Sequence, residues 1–170
     1  NFDRTVANPE KLDADCWERG LEADTIADIR ASIANPGQLS YTQLTPLRKP
    51  TLKRKISQLR DAGVVFLVGT DSGIPMKFHC QSTWNEMDVM VRVMGMQPIE
   101  EIRAAVYWPA VMMGVDDDFG TVSAGKKADI IAVKGDVLEY INLFQNVDFV
   151  MKGGVVYKQA GRPVEANLND

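Results

Sequence analysis

The apolar positions of this chain first recur at helical spacing, then merge into one unbroken run, and finally alternate. Leu12, Cys16, Leu21, Ile26, Ile29 and Ile33 stand among charges over 9–34. That spacing predicts a helix ended by Asn35-Pro36-Gly37. Residues 38–50 are polar, contain Pro46 and Pro50, and are expected to form a loop. Leu52, Ile56 and Leu59 share one face of a helix expected over 51–61, capped by Thr51 and stopped at Ala62-Gly63. The segment 64–69 is apolar on both alternating faces, as a strand buried inside a parallel sheet or barrel would be. It ends at once in Gly69-Thr70-Asp71-Ser72-Gly73. A loop is expected over 72–82. A helix starting at Ser82 or Thr83 then carries Trp84, Met87, Val91 and Met94 and stops at Gly95.

Proline at position 98 opens the next helix from the first-turn position that suits it. Trp108-Pro109-Ala110 breaks or offsets that helix before a further turn ending at Gly114. Met87, Met90, Met94, Met112 and Met113 are expected to pack the core. Trp84 and Glu86 fall at a helix start, where the dipole favours an acid. After 114 the pattern changes to turns and short strands at 129–133 and 147–152, with Gly153-Gly154 turning a hairpin into 155–158. Lys126 and Lys127 are expected in a solvated turn. The tail from 159 is polar and expected to be loose. The organisation expected is a first part at 1–114, a small β unit at 115–158 and a tail at 159–170.

Composition narrows the class. The 170 residues, 45% hydrophobic and 25% charged with net charge −4, suit a soluble globular protein. No basic surplus suggests nucleic acid, and no apolar run reaches the roughly 18 residues of a membrane span. No signal peptide is visible, and Cys16 and Cys80 share no motif, so reduced thiols and a cytoplasmic location are expected. The single histidine, His79, cannot form a histidine-rich metal site by itself.

Asp71 is the candidate for chemistry. A buried strand that delivers a carboxylate to its C-terminal tip is where barrel enzymes place reacting groups. A carboxylate there can bind a metal or take a proton from water. The same residues also fit a strand followed by an ordinary Asx turn. His79 is expected in the loop that follows, where it could touch substrate or shuttle a proton. Ser72 and Gly73 would shape that loop or contact substrate.

Gly69-Thr70-Asp71-Ser72-Gly73 followed by a helix resembles the end of the last barrel strand in the amidohydrolase superfamily. An ordered series downstream is more specific: Gly95-Met96, Pro98-Ile-Glu-Glu-Ile-Arg-Ala-Ala, Trp108-Pro109-Ala110, Met113-Gly114-Val115, Gly120-Thr-Val-Ser-Ala-Gly-Lys-Lys-Ala-Asp-Ile-Ile-Ala-Val and Val147-Asp-Phe-Val-Met-Lys-Gly-Gly. From about 51 to 158 the chain is similar to the C-terminal third of an imidazolonepropionase- or prolidase-like amidohydrolase. The resemblance implies an α/β fold: the C-terminal part of a (β/α)8 TIM-type barrel, with its last strand and flanking helices, plus part of a small β-sandwich. It implies hydrolysis of amide, cyclic amide or dipeptide-like C–N bonds by metal-activated water, with zinc as the expected metal. Asp71 would be both a metal ligand and the proton acceptor.

The resemblance also exposes departures. The family's His-x-His pair, its bridging lysine or glutamate and its two middle-strand histidines are absent from this sequence. The start Asn1-Phe2-Asp3-Arg4 reads like the middle of a longer protein. The chain alone is therefore expected to hold the metal poorly and to be inactive. Its expected partners are a small amide or peptide-like substrate, and either further copies of itself or the missing N-terminal segment. A rival reading makes it an inactive fragment serving as an oligomeric assembly module, on the strength of an exposed strand edge. A third reading is a small-molecule binding domain that keeps the loop 72–82 and needs no metal.

Overall fold

The computed structural model describes residues 17–18, 20–35, 37, 40–73 and 77–165. The described residues form helices followed by one antiparallel sheet. The helices are α1 (Ala23–Ala34), α2 (Ser40–Asp61), α3 (His79–Arg92), α4 (Pro98–Ala105) and α5 (Tyr107–Met113). Strands β1 (Ile130–Val133), β2 (Val147–Lys152), β3 (Val155–Gln159) and β4 (Arg162–Pro163) lie in the order β1-β2-β3-β4.

Of the first expected helix, 9–34, the part over 23–34 is present, whereas Glu18 and 20–22 are not helical and Gly20 takes a φ of 79°; 9–16 lies outside the described residues. Of the expected loop at 38–50, residues 40–50 are helical instead, because α2 begins at Ser40 and runs through Pro46 and Pro50; 38 and 39 lie outside the described residues. Each proline removes one N–H from the ladder. Leu47, between them, is 74% exposed, so water can reach the carbonyls left without donors. Thr51 accordingly caps nothing. It lies inside the helix, and its hydroxyl donates to Arg48 O at 3.0 Å. The predicted stop at Gly63 is correct. Its φ of 76° lets Gly63 N–H reach Arg60 O at 2.9 Å and Val64 N–H reach Leu59 O at 3.0 Å, closing the helix end.

The segment after this stop departs from expectation. Residues 64–70 join no ladder, and Val64 and Val65 are 45% and 49% exposed. A strand of a parallel sheet owes its burial to neighbours on both sides, and no strand among the described residues lies beside this one. Val68 N–H donates instead to Ala104 O at the end of α4, at 3.0 Å.

Helix α4 starts as its sequence requires. Pro98 occupies the first turn, and Gln97 N–H donates to Glu100 Oε2 at 2.9 Å. The helix is offset at Val106, two residues before the expected Trp108-Pro109-Ala110, which lie inside α5; α5 ends at Gly114 with φ 67°, as expected. Met87 is buried in α3, but Met112 and Met113 are each 69% exposed. They are not core, because nothing among the described residues covers that face of α5. The sheet confirms the strands read from the sequence, with Gly153-Gly154 between β2 and β3. The tail is not loose from 159: β4 pairs with β3, Lys158 opposite Pro163. Lys126 is not simply solvated either, since its ammonium donates to the carbonyls of Asp116 and Phe119. Between β1 and β2, the short 3-10 turn Ile141–Gln145 packs on α3, and its Ile141 is 3% exposed.

Cys80 corrects the expectation of reduced thiols, because it is disulfide-bonded. Distance along the sequence is no measure of distance in space. Cys16, the other cysteine, lies outside the described residues. No described helix is long and apolar enough to cross a membrane.

Gly120 tests how closely the β unit is pressed onto α5. A Cβ there would lie 2.9 Å from Ala110 Cβ and 3.2 Å from Val106 O, at a φ of 86°. Gly120→Ala should therefore lower stability by about 1–3 kcal/mol, read as a shift of the urea midpoint.

Candidate functional site

Asp71 stands at the point where the chain leaves 64–70 and turns toward α3. Its φ is 51°, one of two non-glycine residues in the left-handed region among those described. Aspartate tolerates that region better than most residues, yet such a conformation persists only where the surroundings enforce it. The Asp71 side chain is exposed. On its flanks, the Thr70 and Ser72 hydroxyls lie 2.7 Å apart and share a hydrogen bond across the turn. Gly73 N–H donates to Lys77 O at 3.3 Å.

His79 is the first residue of α3, not a loop residue. The helix begins three residues earlier than the sequence indicated, because Phe78 is buried and takes the extended N-cap position. The Ser82 hydroxyl, expected near the helix start, instead donates back to Phe78 O at 2.6 Å inside the first turn. His79 is brought to the candidate site all the same: a Cβ built on Gly73 would lie 3.7 Å from His79 Cε1 and 4.0 Å from Nε2. Asp71, Ser72, Gly73 and His79 are thus gathered at one rim. Phe78, the residue before His79, stacks on Trp17, with ring centroids 5.0 Å apart.

Two carboxylates behind the rim were not recognised from the sequence. Glu86 lies in the middle of α3, not in its first turn, and its Oε1 accepts the Gly69 N–H at 3.1 Å. Glu101 of α4 is 0% exposed, and neither of its oxygens has a hydrogen-bond partner. Burial, and then the Glu86 carboxylate, push the Glu101 carboxyl up from 4.5 to about 7. The sequence offered one faint signal, a glutamate amid the otherwise apolar inner positions of a short helix.

Among the described residues no group of three or more His, Cys, Asp or Glu could hold a metal ion. Asp71 would supply one hard oxygen ligand, and a closed zinc site takes three or four protein ligands. The described residues by themselves do not fit a complete metal site.

The chain matches the amidohydrolase family over residues 23–157 and belongs to it. Among solved structures it is similar to a Xaa-Pro dipeptidase with methionine bound in the active site, at 27% identity and TM-score 0.59, over 92% of this chain and 32% of that one. It is similar to A. niger ochratoxinase at 32% identity and TM-score 0.53, over 63% of this chain and 24% of that one. A prolidase complexed with N-methylphosphonate-L-proline, 20% identical with TM-score 0.57, shares the fold over 94% of this chain and 33% of that one. The α/β, prolidase-like amidohydrolase assignment made from the motifs is thereby established. The chain spans between 24% and 33% of the length of these three structures. No curated protein matches it.

The buried Glu101 gives a pH prediction. Folded protein keeps its proton up to about pH 7, whereas the unfolded chain releases it above 4.5. Stability from this group is therefore full below about pH 4.5, declines as pH rises to about 7, and is flat above. The slope is at most about 1.4 kcal/mol per pH unit. Urea titrations from about pH 4.5 to about pH 8 should show this decline in the natural chain and its loss in Glu101→Gln.

Proposed function

We propose that this chain is the C-terminal portion of a metal-dependent, prolidase-like amidohydrolase that cleaves C–N bonds of small amides, cyclic amides or dipeptide-like substrates. One observation carries the reading: within a fold of this family, Asp71 is held in a left-handed turn at the tip of an apolar segment, two residues before Gly73, which lies against the chain's single histidine. Asp71 would supply one oxygen ligand and accept the proton of the attacking water. The resemblance favours zinc, which when bound lowers the pKa of a coordinated water to roughly 7. His79, at the start of α3, lies where it could contact substrate, and Ser72 and Gly73 set the shape of the loop beside it.

The remaining ligands and the barrel strands flanking 64–70 would come from a polypeptide that completes the barrel, or from further copies of the chain. Exposed Val64, Val65, Met112 and Met113 suit burial by such a partner. The same exposure favours a second reading, an inactive fragment that acts as an oligomeric assembly module. The disulfide at Cys80 removes the argument from reduced thiols for a cytoplasmic location.

The test is hydrolysis of an Xaa-Pro dipeptide, with zinc content measured on the same samples. The isolated chain should retain little zinc and show no turnover. Adding a polypeptide that carries the preceding barrel strands should restore both. Asp71→Asn in that complex should then lower kcat by about 10^2–10^4-fold. Turnover by the isolated chain would overturn the inactive-alone reading, and full activity of Asp71→Asn would overturn the role of Asp71. Stable oligomers with no activity in any combination would favour the assembly module.

A further inference from the structure

Helix α3 touches the Asp71 segment at two places spaced as the helix repeats. His79 and Glu86 are seven residues apart, two turns of one face and about 10.5 Å along the axis. At the first turn the His79 ring lies against Gly73. Two turns later Glu86 Oε1 accepts the Gly69 N–H at 3.1 Å. The segment 69–73 therefore runs antiparallel along α3. Four residue steps cover about 13 Å when extended, and the turn at Asp71 shortens that path toward the spacing of the two anchors. Asp71 is midway between them.

We propose that Glu86 is the positioning residue for Asp71, its carboxylate fixing the Gly69 backbone so that α3 sets both His79 and the left-handed turn at Asp71. This rests on the reading of Asp71 as the reacting group. The bond is charge-assisted, an N–H donating to a carboxylate, and so stronger than the neutral bonds of ordinary turns. It does the work that a neighbouring strand would do elsewhere, since 64–70 has no ladder among the described residues. Glu101, buried behind on α4 with unpartnered oxygens, adds to its importance. Two neighbouring carboxylates are costly to keep charged together. Burial, and then Glu86, push the Glu101 carboxyl up to about 7, and it is Glu86 whose oxygen accepts the Gly69 N–H.

The test follows backbone amides of the full chain by two-dimensional NMR with hydrogen exchange. In the natural chain the Gly69 amide should exchange at least tenfold more slowly than those of Val65 and Phe66; equal exchange would overturn the proposal whatever the variants do. In Glu86→Met, which keeps the side-chain length and removes the acceptor, Gly69 should lose that protection and the Asp71 and Ser72 amides should shift. Glu86→Gln, which keeps an acceptor oxygen, should restore both. A Met variant that melts lower yet leaves the Gly69 and Asp71 signals in place would show a structural role alone and overturn the proposal. Asp71→Asn separates this inference from the functional one: its effect on hydrolysis judges the role of Asp71, while Gly69 protection judges Glu86.

Discussion

The described fold depends on helix α3. Its inner face receives the 3-10 turn that leads into β2, its first residue meets Gly73, and its middle holds the Gly69 amide. The sheet and the Asp71 segment are therefore placed by contacts to one rigid element. A helix transmits position well because every backbone group along it is bonded internally. Movement of α3 would carry His79, Gly69 and the β unit together.

The segment 64–70 shows the converse case. It has the composition of a fully buried parallel strand, yet its two valines at 64 and 65 stand about half exposed. Composition records the environment a segment is suited to, and the contacts decide whether it has that environment. Here two adjacent backbone N–H groups near the end of the segment, those of Val68 and Gly69, are satisfied by the carbonyl of Ala104 and by Glu86. Both are substitutes for a ladder, and together they hold the end of the segment against α3 and α4.

Much of the fold was legible because local chemistry and tertiary structure agree. Pro98, Gly63, Gly114 and Gly153-Gly154 each punctuate the chain where a backbone rule says they should. The misreadings share a cause. Pro46 and Pro50 argued for a loop, but a solvent-facing helix can leave the affected carbonyls to water. The start of α3 was placed three residues late because a buried Phe78, not a polar cap, opens it. That shift moved His79 from loop to helix and Glu86 from the first turn to the middle, and so hid the spacing that joins them.

By itself the sequence determined the family, the apolar segment ending in Asp71, and the strands of the β unit. These depend on residue order and short-range backbone preference, which act within a few positions of the chain. Only the tertiary structure decided that Asp71 takes a left-handed turn, that Glu86 holds the backbone two residues before it, and that Glu101 is sealed without a partner. Those features need residues 15 to 17 positions apart to meet, as Glu86 with Glu101 and Gly69 with Glu86 do. Packing, and the exclusion of water it brings, fixes such meetings, and no local pattern encodes them.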